Sequence, residues 1–255
     1  MYKHLKLALG FLAIIVNTLL YLLIRSPQIN KIFYILLAKV SYGLTNPTVR
    51  VHGNTNNFSN NNLLIMSNHY HGFIDINLIH NLYYKHNSIE TLHTIVKADY
   101  FSDPTYKSKI VNLLSYFQTT LIPSWYFIPY KRGDKEDGKK VRNRIVDALS
   151  HEKNIFVFPD GKTFKNGIPQ DFKKGTFELA VANKLRILPI TIKFAKDIGM
   201  ENDDPLELLN VFDNVVDIYI HDLIDETDEC YTQQNPEGLK DKVFDIISAP
   251  LLPIV

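Results

Sequence analysis

Cysteine is almost missing. Cys230 stands alone among 255 residues, so the chain cannot close an internal disulfide, and cysteine usage leaves the redox compartment open. An excess of one charge is missing too: 28 Lys and Arg against 27 Asp and Glu leave a net charge of +1, without the basic field expected of a nucleic-acid binder. The 11 glycines and 12 prolines are scattered, and there is no internal repeat. Gly161-Lys162-Thr163 lacks the earlier glycine of a nucleotide-binding loop, and no Ser or Cys sits in a nucleophile-elbow pattern. What the chain has is 45% apolar residues, enough for one substantial core.

Its N-terminus differs in kind from the rest. Leu7 to Ile24 contains no charged residue over 18 positions. As a helix it would extend about 27 Å, close to the hydrocarbon thickness of a bilayer. Lys3 and Lys6 flank one end, Arg25 and Lys31 the other, so loop charge fixes no orientation. A membrane anchor is the leading reading; a cleaved signal peptide and a buried core helix are the alternatives. Ile29 to Leu44 carries Lys31 and Lys39 and fits an amphipathic helix, either in the membrane interface or packed on the following domain. The organisation predicted is an anchoring segment over 1–46 and a single domain over 47–255.

Within that domain, β-branched apolar runs at Val49–His52, Leu63–Met66, Thr94–Val96, Thr120–Ile122, Asn154–Phe158, Ile187–Ile192 and Val215–Ile220 read as strands. Helical spacing fills Phe73–Tyr84, Tyr106–Phe117, Asp137–Leu149, Phe172–Leu185 and Leu239–Ile247. The alternation predicts an α/β domain with helices on both faces of the sheet. Pro189 suggests an edge or first-residue position for its strand. Six asparagines within Asn54–Asn62 read as a solvated loop.

Four segments carry side chains suited to chemistry. Ser67-Asn68-His69-Tyr70-His71-Gly72-Phe73-Ile74-Asp75 follows a buried strand and enters a helix, where open α/β folds form ligand crevices. His69 is the preferred general base and Asp75 its orienting carboxylate; His71, four residues from Asp75, is the alternative base. No ligand spacing for a metal accompanies them. Lys131-Arg132 ends a strand ahead of Gly133-Asp134 and suits a phosphate, or forms a plain surface pair. Phe158-Pro159-Asp160-Gly161-Lys162-Thr163 closes another strand with a turn that places Asp160, Lys162 and Thr163 at the crevice, or needs no ligand at all. Phe172-Lys173-Lys174-Gly175 opens a helix, as a phosphate clamp or a solvated start.

In this order the four segments, with Leu188-Pro189-Ile190, resemble the 1-acylglycerol-3-phosphate acyltransferase (PlsC-type) family of glycerolipid acyltransferases. That family has Asn-His, four residues, Asp; a strand ending in Arg; Phe-Pro-Glu-Gly-Thr-Arg; Phe-Lys-x-Gly; and a Val-Pro-Val-like strand. The chain departs by five residues between His69 and Asp75, by Asp160 in place of Glu, and by Lys162-Thr163 in place of Thr-Arg. The resemblance implies a PlsC-like fold with a mixed, largely parallel sheet flanked by helices. It implies a membrane-bound enzyme that moves a fatty acyl group from acyl-CoA or acyl-ACP to the free hydroxyl of 1-acylglycerol-3-phosphate, giving phosphatidic acid without an acyl-enzyme. His69 and Asp75 would be catalytic, with Lys131, Arg132, Asp160, Gly161, Lys162 and Thr163 binding substrate. The partners implied are the two substrates and a bilayer, of the endoplasmic-reticulum type in a eukaryotic cell, with no resident cofactor and no nucleic acid. Another lysophospholipid acceptor, or a degenerate lipid-binding protein on the same scaffold, is the alternative.

Overall fold

Strand β2 (Leu63–Ser67) is buried along its whole length, and the sheet extends on both sides of it. The computed structural model describes residues 47–70, 72–87, 92–97, 127–131, 133–163, 168–196 and 214–252. The expected N-terminal helices, the helix at Tyr106–Phe117, the strand at Thr120–Ile122, His71 and Arg132 lie outside these residues. Among the described residues no helix is long and apolar enough to cross a membrane.

The seven strands are β1 (Thr48–Gly53), β2, β3 (Leu92–Lys97), β4 (Phe127–Tyr130), β5 (Asn154–Val157), β6 (Arg186–Phe194) and β7 (Val215–Ile220). They lie in the order β1-β7-β6-β2-β5-β3-β4. Every pairing is parallel except β6 with β7. The carboxyl ends of β6, β2, β5, β3 and β4 therefore share one edge.

Alternation along the strands sorts the core into two layers. Leu63, Ile65, Phe156, Leu188, Ile190 and Ile192 pack with helix α1 (Gly72–His86). Leu64, Met66, Ile155, Val157 and Ile187 pack with α2 (Lys135–Ser150), α3 (Lys174–Asn183) and α5 (Pro236–Ser248). Between α3 and α5 runs the short α4 (Glu229–Thr232). Both sheet faces are covered, so the central strands β2, β5 and β6 carry near-continuous apolar runs, as parallel sheets require. Helices α2 and α5 start where side chains satisfy their free N–H groups: Asp134 accepts from Glu136 and Asp137, and Asn235 from Gly238.

Two expectations are corrected. Pro189 sits inside a central strand, not at an edge or a first position. Its carbonyl accepts from the N–H of His221, so its missing N–H also faces β7. The β6–β7 pairing begins only at Ile190, and a separate bridge joins Ile187 to Ile224. The proline falls in the gap between them, where the regular β6–β7 ladder ends, so its missing N–H interrupts no pair within the ladder. The asparagine-rich segment is likewise more than a solvated loop. A 3-10 turn at Thr55–Ser59 buries Phe58 completely. Asn154 and Arg186 donate to the carbonyls of Asn60 and Asn61, tying the segment to β5 and β6.

Candidate active site

At the carboxyl edge β2 leaves the sheet, and a side chain holds the exit. Asn68 donates from Nδ2 to the Ile192 carbonyl at 2.9 Å and accepts at Oδ1 from the Ile192 N–H at 2.8 Å. Its amide thus pairs with β6 as a peptide group of β2 would, one step past the last β2–β6 pair, Ser67 with Ile190. The main chain turns off toward α1 while the ladder continues through a side chain. Tyr70, edge-on to Phe194 at 4.9 Å, closes the far side of the turn.

This turn carries His69, whose Nδ1 lies 2.9 Å from Oδ2 of Asp75. The same Oδ2 accepts from the Tyr70 N–H at 2.6 Å. Asp75 is fully buried in the first turn of α1, where the helix N-terminus favours a negative charge. With Nδ1 donating to Asp75, the neutral ring keeps a lone pair on Nε2. The His69 ring stacks on Phe158 with centroids 3.6 Å apart and planes 15° apart, so it is packed as well as hydrogen-bonded. Its side chain keeps 11% exposure. The five intervening residues are accommodated because the carboxylate reaches back from inside the helix.

Phe158 begins the turn after β5, the strand beside β2. Gly161 closes that turn by donating to the Phe158 carbonyl at 3.0 Å, with a φ of +65° that a side chain would strain. Pro159 accepts from the Lys173 N–H at 2.8 Å, which fixes the turn to the start of α3. Asp160 is only 1% exposed, and its oxygens have no hydrogen-bond partner of full geometry among the described residues. Burial pushes its carboxyl up to about 8; the Lys162 N–H pulls the other way, the charge of Asp75 adds to the rise, and the N–H groups of Gly161 and Asp160 itself oppose it.

The remaining expected residues lie nearer the solvent. Lys162 and Thr163 are exposed on the Asp160 turn, one strand spacing from the histidine turn. Lys131 is exposed after β4, with its N–H held by Asp137 at 2.7 Å and its ammonium 4.0 Å from Asp134. Three spacings separate β4 from β2, about 14 Å, so Lys162 is the cation nearer His69. Lys173 and Lys174 are exposed and paired with Asp171 and Glu178. The structure thus brings His69, Asp75 and Asp160 together and leaves Lys131 at a distance. Sequence reasoning missed two supports, the Asn68 clasp and the Phe158 stack; the strand-exit position was the only signal for either.

A family model described as Acyltransferase matches residues 48–193, from β1 to the end of β6. Two curated plant proteins are similar over a shorter stretch. The chloroplastic 1-acyl-sn-glycerol-3-phosphate acyltransferase LPAT1 of Arabidopsis thaliana is 32% identical over 65 residues, 26% of this chain and 18% of that protein. Its counterpart BAT2 of Brassica napus is 31% identical over 65 residues, 26% of this chain and 19% of that protein. The chain therefore matches less than a fifth of either relative. Among solved structures, the 1-acyl-sn-glycerophosphate acyltransferase PlsC of Thermotoga maritima superposes with a TM-score of 0.61 at 18% identity, covering 98% of this chain and 96% of that one, a likeness of fold. The matched span includes the histidine turn, the buried Asp160 and the sheet edge that joins them, and on that match the chain belongs to the Acyltransferase family.

Proposed function

We propose that the protein transfers a fatty acyl group from an acyl thioester, acyl-CoA or acyl-ACP, to the free hydroxyl of a lysophospholipid, with 1-acylglycerol-3-phosphate as the acceptor. The buried His69–Asp75 pair at the exit of β2 carries this reading. An alcohol attacks a thioester poorly unless its proton leaves as the C–O bond forms. Nε2 of His69 takes that proton, and Asp75 stabilises the imidazolium; such help is worth about 10²–10⁴-fold. The hydroxyl attacks directly, without an acyl-enzyme. Lys162, with Lys131 farther along the edge and Arg132 next to it in sequence, holds the acceptor's phosphate. Residues 1–46 anchor the domain to the bilayer that contains the acceptor.

The experiment is incubation of the purified full-length protein with radiolabelled acyl-CoA and acyl-ACP and a panel of lysophospholipids. Labelled phosphatidic acid from wild type, and none from His69→Ala, is the expected result. Product on a different head group would move the acceptor assignment. Unchanged turnover in His69→Ala with loss in His71→Ala would make His71 the base. No product from any pair would leave a lipid-binding protein.

A further inference from the structure

Asp160 stands in the acid–base cluster without a cation to pair with among the described residues. It follows β5 at the same edge as His69, whose ring stacks on Phe158 two residues before it. Of the charged groups near it, Asp75 on α1 acts on it directly; His69 adjoins its turn through the ring stack on Phe158, Lys162 follows on its own turn, and Lys173 and Lys174 at the start of α3 are exposed and paired with Asp171 and Glu178. No salt bridge joins Asp160 to a cation among the described residues, and neither oxygen has a full hydrogen bond. A buried carboxylate beside a second carboxylate and without a cation is the costly form of this side chain. The neutral acid is the cheap one, and it brings an O–H group that finds no acceptor of full geometry among the described residues.

We propose that Asp160 is an uncharged hydrogen-bond donor to the carbonyl oxygen of the acyl thioester, stabilising the oxyanion that forms when the acceptor hydroxyl attacks. The role rests on the acyl-transfer reading above. The hydroxyl proton passes to His69 as the C–O bond forms and the carbonyl π pair moves onto oxygen. The Asp160 O–H keeps its proton and tightens its hydrogen bond to that oxygen. Collapse restores the carbonyl, the C–S bond breaks, and the His69 proton goes to the departing sulfur. A dry, preorganised donor is effective at this step because it needs no reorganisation as charge develops. Apolar sites that keep a carboxylic acid neutral are an established way to build such a donor. Burial beside Asp75 keeps the proton on Asp160 up to a pH of about 8.

Two full-length variants test this. Asp160→Asn keeps a neutral donor of similar size, and Asp160→Ala removes it. Wild-type kcat/KM should fall above a pH of about 8. Asp160→Asn should stay within about tenfold of wild type near neutrality and lose that alkaline limb, while Asp160→Ala loses about 10²–10³ in kcat with little change in acceptor KM. An Asp160→Asn variant as inactive as Asp160→Ala, or one that keeps the alkaline limb, overturns the role. An infrared difference spectrum, wild type minus Asp160→Asn, reads the proton without turnover. It should contain a protonated-carboxyl C=O stretch near neutral pH that is gone well above a pH of 8; its absence near neutrality overturns the proposal whatever the rates. A wild type with the band but without transfer on any substrate pair overturns the acyl-transfer reading, and this role with it.

Discussion

Raising the pH from 6.5 to 8 should destabilise this protein, and the Asp160→Asn substitution should abolish the effect. Asp160 is raised from about 3.8 in the unfolded chain to about 8 in the fold. Between those values the folded state holds a proton that the unfolded state has lost, so stability declines as pH rises, by about 1.4 kcal/mol per unit. From pH 6.5 to 8 that amounts to about 1.6 kcal/mol from Asp160, because the slope fades as the folded group titrates. Two buried histidines work on the other side. His80 lies on α1, its Nε2 2.7 Å from Oγ1 of Thr94, and burial lowers it to about 3, helped by His93. His93, on β3, is lowered to about 4 by burial and by Lys153, and its Nε2 has no partner among the described residues. Both must stay neutral in the fold, while the unfolded chain protonates them below about 6.5. Each therefore removes about 1.4 kcal/mol per unit as pH falls below 6.5, and His221, lowered by burial, adds in the same direction. Between 4 and 6.5 Asp160 offsets one of the two strongly shifted histidines, leaving a net loss of about 1.4 kcal/mol per unit toward acid, to which His221 adds. The stability curve should peak near pH 6.5. In Asp160→Asn the alkaline limb should flatten and the acid limb should steepen to about 2.7 kcal/mol per unit. Urea unfolding at half-unit pH intervals, followed by far-UV circular dichroism, measures both. A wild-type curve flat from 6.5 to 8, or an unaltered alkaline limb in the variant, would refute the reasoning.

The clasp on β6 should be sensitive to a single atom. Asn68→Asp keeps the acceptor for Ile192 N–H but turns a lone pair toward the Ile192 carbonyl. It should cost about 1–3 kcal/mol in urea and lower kcat more than KM, because the His69 turn loosens. Phe158→Leu should keep most of the burial and lose the stack on His69, so steady-state assays should show reduced kcat with a small loss of stability. Lys162→Ala should raise KM for a phosphate-bearing acceptor more than Lys131→Ala does, since β4 stands three strands from the histidine turn. An equal effect of the two would place the phosphate midway along the edge.

Much of the fold was legible because its signals are local. The buried run at Leu63–Met66 is apolar at every position and that at Ile187–Ile192 at all but Thr191, and the helical stripe from Ile74 to Tyr83 follows the first run. Each pattern records which faces are covered, so an α/β sheet with helices on both sides could be read directly. Pro189 misled because a proline's cost depends on what its missing N–H would have faced, and the end of β7 lies some 30 residues away in sequence. The asparagine segment misled for a similar reason: its partners, Asn154 and Arg186, belong to distant strands.

For the site the division is the same. By itself the sequence determined the residue types and their order: a histidine and a carboxylate across a strand-to-helix turn, a Pro-Asp-Gly turn after a buried strand, and lysines beyond. Those depend on spacing along the chain, which no packing can change. The tertiary structure alone decided that Asp75 reaches Nδ1 of His69 across five residues. It also placed Phe158 under the imidazole and Asp160 in a dry position beside a second carboxylate. Burial and charge proximity set those properties, and they come from strands that are neighbours in the sheet although about 90 residues separate them in the chain.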